Sequence, residues 1–278
     1  MERRDAYLLA GPTASGKSAA AALLARRMGA AVLSADSMLV YKGMDVGTAK
    51  PSPEERAEFG MGGVDLVTPA EHFSSGAWLR AAARWLAAVP SGRPVVIVGG
   101  TGLYFSALLR GLDRKWVKPP PEYPVLHLDR PVLHTRISAR LDEMLAGGAW
   151  LEEVRRLLKE YPIWSDTAQA AIGYRELAAF LKDLKDVKDL KDLKDSKDLK
   201  DSKDLKDLKD FACAREKILV RTRQLAKRQL TWFRHQATPL YVPAGESAEE
   251  TADNVWLAWR ERGPWQVRLP EEGESDAS

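Results

Sequence analysis

The octapeptide Gly11-Pro12-Thr13-Ala14-Ser15-Gly16-Lys17-Ser18 has the spacing G-x-x-x-x-G-K-S. In a turn of this kind, backbone N–H groups converge on phosphate oxygens, so each residue from Gly11 to Ser18 is a candidate for holding a di- or triphosphate. Lys17 supplies a point charge to the terminal phosphates, and the Ser18 hydroxyl is a candidate ligand for Mg²⁺. The helix that should follow adds the positive end of its dipole. A nucleotide-hydrolysing enzyme built on such a loop normally also carries an Asp that helps to hold Mg²⁺, at the end of a neighbouring apolar strand. The matching run here, Val95 to Val98, passes into Gly99-Gly100-Thr101-Gly102 with no acid. A motor or switch is therefore disfavoured, whereas a small-molecule or nucleoside kinase, which can work without that acid, stays open.

Strands and helices must hold the loop. Ala6 to Ala10 reads as a strand feeding it, and the Ala-rich stretch from Lys17 to Met28 as the helix leaving it. Further strands are expected at Ala31–Ala35, Val64–Val67, Val95–Val98, Val125–Leu128 and Leu240–Val242, and a helix at Ser75–Val89, stopped by Pro90-Ser91-Gly92. Strands alternating with helices predict an α/β fold: a P-loop NTPase-like parallel sheet flanked by helices, with a mainly helical C-terminal half. The expected organisation is a catalytic core over 1–181, a low-complexity K-D-x repeat over 182–210, a basic helix with the last strand and a closing helix over 211–262, and a tail over 263–278. Successive Leu positions of the repeat drift around a helix by about 60° per triplet, so no fixed apolar face results, and a solvated helical extension or a disordered spacer is expected. Trp78, Trp85, Trp256 and Trp259 fall at helical spacings and are expected to pack.

Composition narrows the class. The 278 residues are 45% hydrophobic and 29% charged, and 42 Lys and Arg against 39 Asp and Glu leave a net charge of +3, which by itself neither requires nor excludes nucleic acid. A single cysteine, Cys213, excludes an internal disulfide framework, and four scattered histidines lack metal-ligand spacing. No run approaches a membrane span, and the apolar stretch near the start is too short for a signal peptide. A soluble, cytoplasmic protein with no membrane partner is expected, and a monomer.

Beyond the loop, three further stretches occur in order: S-A-D-S-M-L-V-Y-K-G-M-D-V-G-T-A-K-P from Ser34 to Pro51, V-G-G-T-G-L-Y from Val98 to Tyr104, and R-T-R-Q-L-A-K-R-Q-L-T-W-F-R from Arg221 to Arg234. With the loop, and with D-R-P-V-L-H-T-R-I from Asp129 and I-G-Y-R-E-L from Ile172, the chain resembles the tRNA dimethylallyltransferases over most of its length up to Arg234. The resemblance implies transfer of a dimethylallyl group from dimethylallyl diphosphate to N6 of the adenosine 3′ of the anticodon in tRNA. It casts Asp36 as the base that takes the amine proton, which is sound chemistry for a weak nucleophile, and Thr101 as a hydrogen-bonding partner near that amine. Lys17 and Arg223 match the cations that neutralise the leaving diphosphate. Asp36, Ser37, Met38, Leu39, Thr101, Gly173, Tyr174 and Arg175 match tRNA-contacting positions, and Mg²⁺ on Ser18 is implied. Local alternatives remain for two of these: Asp36 as a strand-end turn former, and Thr101 as a helix N-cap.

Two departures from the family pattern stand out. The helical insertion that grips the anticodon stem-loop is missing, for Leu112 to His127 spans only 16 residues. The K-D-x repeat is the second. The basic helix from Arg215 to Arg234, with seven Lys and Arg against one Glu, is expected to pack through Ile218, Leu219, Leu225, Ala226, Leu230 and Phe233 and to offer phosphate contacts to RNA on its other sides. Besides the kinase, the competing reading is a truncated relic that binds diphosphate without catalysis.

Overall fold

The computed structural model describes residues 3–111, 121–183 and 202–268. A parallel sheet is built from β1 (Arg3–Ala10), β2 (Ala31–Ser34), β3 (Val95–Gly99), β4 (Glu122–His127) and β5 (Thr238–Pro243), in the order β2-β3-β1-β4-β5. Apolar residues alternate between its faces with the two-residue period of a strand. Leu8, Ala10, Val95 and Ile97 face one buried cluster, and Leu9, Val96 and Val98 face the other. The second cluster is closed by α1 (Lys17–Met28) and α10 (Ala248–Arg262) through Ala20, Leu24, Val255 and Trp259. The first is covered by α3 (Ser75–Ala88), α4 (Gly102–Arg110), α5 (Arg130–Leu145), α6 (Ala149–Glu160), α8 (Tyr174–Asp183) and α9 (Ser202–Gln236). Short helices α2 (Pro53–Phe59) and α7 (Asp166–Gln169) lie in the connections.

Local chemistry explains the boundaries. α1 runs between two glycines in the left-handed region, Gly16 and Gly29, where a side chain would strain the backbone. α3 starts at Ser74, whose hydroxyl accepts from the Ala77 N–H, and buries Trp78, Leu79, Ala82 and Leu86. α2 carries its own start signal. Ser52 and Glu55 form a reciprocal capping box with Pro53 in the first turn, the signature S-x-x-E.

The expected parallel sheet and helical C-terminal half are present, with three corrections. Val64–Val67 is no strand: Tyr41 and Val67 form an isolated bridge, and Asp65 has a positive φ of 51° that interrupts extension. The segment 263–278 is not all tail, because Trp265–Arg268 forms β6, antiparallel to Arg3–Ala6, with Val267 fully buried. Trp78 and Trp259 pack as expected and Trp85 is partly buried, but Trp256 is 37% exposed on α10. The last triplets of the repeat, from Ser202, run without a break into α9. Repeat residues 184–201, the segment 112–120 and the acidic tail 269–278 lie outside the described residues.

Candidate functional site

The loops leaving the C-terminal ends of β1, β2 and β3 meet at one rim of the sheet, where open α/β folds bind ligands. There they enclose, with α5, α6 and α9, a cavity of about 760 Å³. The loop after β1 forms the first wall. Gly11 packs so closely on Ser15 and Leu126 that a Cβ would lie 2.9 Å from the Ser15 Oγ. Thr13, Ala14, Lys17 and Ser18 line the cavity, while Gly11, Pro12, Ser15 and Gly16 shape the turn behind them. Lys17 is 8% exposed and its Nζ donates to the Pro12 carbonyl at 3.1 Å. Burial pushes its ammonium down to about 8. Asp36 opposes that shift and Arg140 adds to it, so all three charges share one field.

The second wall is the turn after β2, tied to the turn after β3. Asp36 accepts from the Met38 N–H through Oδ1 at 2.9 Å, so it does form the local turn that its position suggested, and it also lines the cavity. Thr101 stands at the N-cap position of α4 but makes no capping bond. Its Oγ1 accepts from the Ser37 N–H at 3.0 Å and donates to the Ser37 Oγ at 3.3 Å, while its own N–H reaches the Ala35 carbonyl at 3.1 Å. Asp36 and Thr101 are thus held side by side by Ser37, and Met38 and Leu39 continue the lining.

The third wall is α9. Ile218, Thr222, Leu225, Gln229 and Trp232 all line the cavity, and their alternating four- and three-residue steps put them on one helical face. The expected packing set mostly follows an adjacent face, with Leu219, Ala226 and Phe233 buried. Arg223 follows that second face and is absent from the cavity lining. Its Nε is buried without a protein partner, and its charge helps to lower the nearby His134 imidazolium, after burial. Arg228 of α9 does line the cavity, as do Lys17, Lys50 and Arg140 of α5, whose guanidinium is pushed down by burial and held up by Asp36 and Glu143.

Gly173, Tyr174 and Arg175 separate. Tyr174 is fully buried at the cavity's edge and donates to Glu153 at 2.6 Å; burial and that carboxylate raise its phenol. Gly173 backs onto Trp150 and Arg175 is exposed, and neither lines the cavity. Glu153 also accepts from the N–H groups of Asp45, Val46 and Gly47, fixing the loop that carries Lys50. Lys50 is buried against Asp45 and Asp65. Sequence reading missed Arg140, Gln229 and Glu153. No spacing marks them, because each acts from a helix distant in the chain: Arg140 and Gln229 line the cavity, and Glu153 braces the Lys50 loop.

A family model described as IPP transferase matches residues 39–123 and 114–236, and an isopentenyl transferase model matches residues 4–59. A tRNA dimethylallyltransferase of Synechococcus sp. (strain JA-3-3Ab) is 32% identical, aligned over 92% of this chain and 87% of that protein. Another, from Phenylobacterium zucineum, is 32% identical over 83% of this chain and 89% of its own. Among solved structures, a tRNA delta(2)-isopentenylpyrophosphate transferase from Staphylococcus epidermidis superposes with a TM-score of 0.70, covering 92% of this chain and all of that one at 24% identity, a likeness of fold. The first alignment runs over 325 positions against a chain of 278, so that relative carries stretches with no counterpart here. The two IPP transferase matches meet over 114–123, inside the short segment where the insertion is missing.

Proposed function

The chain belongs to the IPP transferase family of tRNA dimethylallyltransferases, and on that premise we propose that it transfers a dimethylallyl group from dimethylallyl diphosphate to N6 of the adenosine 3′ of the anticodon in tRNA. The observation that carries this reading is the meeting of Lys17, Arg140 and Asp36 in one cavity whose other walls are largely apolar.

The diphosphate belongs on the glycine-rich turn, with Lys17, the N-terminus of α1 and Arg140 around it. These groups stabilise charge that grows on the leaving oxygen, the kind of interaction that strengthens toward the transition state. Met38, Leu141, Met144, Ile218 and Leu225 supply apolar wall for the five-carbon group. The base must leave its stack to reach the cavity. Its N6 lone pair then attacks C1 of the dimethylallyl group as the C1–O bond breaks, the electron pair departs with pyrophosphate, and Asp36 takes the N6 proton. Thr101, anchored by the Ser37 amide, lies on the amine's side of the site. Arg223, which the family resemblance pairs with the diphosphate, lies outside the cavity lining, and its buried Nε has no protein partner to satisfy it.

The residues also suit Mg²⁺ held chiefly by substrate. Ser18 and Asp36 both line the cavity, and among the described residues no cluster of three or more His, Cys, Asp or Glu builds a cage. Mg²⁺ typically takes one or two protein oxygens with phosphate oxygens and water. When bound, it would add charge neutralisation at the diphosphate. Among the described residues no helix is long and apolar enough to cross a membrane; action in the cytoplasm and a monomeric assembly complete the proposal.

Purified protein, labelled dimethylallyl diphosphate and total tRNA, followed by nucleoside analysis, test the reading. Label on N6 of adenosine is expected. Transfer of phosphate from ATP to a small acceptor, with no label in RNA, would replace this reading with the kinase.

A further inference from the structure

Gln229 occupies a place that neither the diphosphate turn nor the Asp36–Thr101 pair accounts for. It stands on the cavity-lining face of α9 between Leu225 and Trp232, and its amide is used at both ends. Oε1 accepts from the Thr13 N–H at 2.9 Å, and Nε2 donates to the Gly100 carbonyl at 3.1 Å. One amide therefore bolts the diphosphate turn to the turn that carries Thr101. The polarity is fixed, because an N–H must meet an oxygen and a carbonyl must meet a donor.

The surroundings are built for this approach. A Cβ at Gly100 would collide with the Gln229 amide, and one at Gly102 would collide with the Trp232 ring. Thr101 lies between these two glycines, so α9 presses on the backbone at both sides of it. We propose that Gln229 is a positioning residue for the transfer reaction, setting the distance between the diphosphate cradle and the Asp36–Thr101 pair. The inference rests on the prenyl-transfer reading for its kinetics, and on geometry alone for its effect on pyrophosphate.

Gln229→Met keeps the length of the side chain and removes both bonds. Gln229→Glu keeps the acceptor for Thr13 but sets a carboxylate against the Gly100 carbonyl and beside the diphosphate. Because small displacements of reacting groups cost large factors in rate, Gln229→Met is expected to lower kcat by about tenfold or more. Its KM for tRNA should stay within about twofold, and pyrophosphate should bind about fivefold more weakly by calorimetry, as expected when a preorganised cradle loosens. Gln229→Glu should weaken pyrophosphate further. Leu230→Ala, a half-buried neighbour on α9 outside the cavity, is the control for general loosening of the helix; pyrophosphate affinity and kcat should survive it. A Gln229→Met protein with wild-type kcat and pyrophosphate affinity would overturn the inference, as would a Leu230→Ala protein that reproduces the loss. If Gln229→Met does not fold, the contrast between wild type and Gln229→Glu decides in the same way. If the wild type modifies no RNA, the transfer reading fails, while pyrophosphate affinity still tests the role of Gln229.

Discussion

A carboxylate 2.9 Å from a backbone N–H two residues on is an ordinary turn former, and Asp36 is one. It also faces the cavity and lies within the fields of Lys17 and Arg140. Asp36→Ala should leave pyrophosphate binding largely intact and cut turnover by about 10²-fold or more, as removal of a general base does. Near wild-type turnover in that variant would take Asp36 out of the mechanism. The cations divide differently. Arg140 lines the cavity, whereas Arg223 stands behind it on the packing face of α9. Arg140→Ala should raise the KM for dimethylallyl diphosphate by about tenfold or more, since a charge is lost from the leaving group's side. Arg223→Ala should raise it less. Equal effects, or a change in RNA affinity alone for Arg223→Ala, would place the two guanidinium groups wrongly.

At the scale of elements, β6 is held to the first half of β1, and its Val267 is fully buried. Ending the chain after Arg262 should therefore lower the melting temperature by about 5 °C or more relative to ending it after Arg268, given the loss of a buried aliphatic side chain and a strand pairing. Identical melting curves would show that the pairing adds nothing. The sequence W-Q-V-R does alternate apolar and polar, but four residues behind Gly263-Pro264 are too few to distinguish a strand from a loose end without the partner in view. The central strands were legible because Val95 to Val98 is apolar throughout, as a strand covered on both faces must be. The diphosphate turn was legible because all of its parts are consecutive. Arg140 and Gln229 were not, because what they do depends on the rotational phase of α5 and α9 against the sheet. Arg223 makes the same point from the other side. It is the next residue after Thr222, about 100° around the helix, and Thr222 faces the cavity while Arg223 does not.

For the whole molecule, chemistry and RNA grip separate. Lys17, Asp36, Thr101, Arg140 and Gln229 converge on a single cavity drawn from both ends of the chain. The relatives' extra stretches are missing, and the family matches meet over 114–123. Binding energy from parts of a substrate remote from the reaction helps to position the reacting centre, so its loss lowers turnover as well as affinity. Among the described residues, α9 offers RNA a basic surface outside the cavity, including the shallow groove lined by Gln224, Lys227, Arg228 and His235, which suits phosphates rather than base edges. Modification of tRNA should therefore be slow, strongest at low salt and poorly selective among anticodon loops, with affinity falling by about tenfold or more between 50 and 200 mM salt. Steady-state rates at those two salt concentrations, on matched and mismatched stem-loops, give the measurement. Family-like efficiency and selectivity would mean that another part of the chain replaces the missing grip, and no modification at either salt would favour the relic.

The two faces of α9 leave it very unequal tolerance to change in length. Between Ile218 and Phe233 one face walls the cavity and the next fills the core, so a single inserted or deleted residue would turn one set into the other's place. Upstream of Phe211, which still packs on Phe180, no described side chain of α9 lines the cavity or is buried in the core. Added or lost residues there shift only where the helix begins, because the working segment takes its rotation from its own packing. Copying errors that add or drop K-D-x triplets fall on the permissive side of that line. The gene can therefore stretch or shrink at this point while every residue of the cavity keeps its bearing.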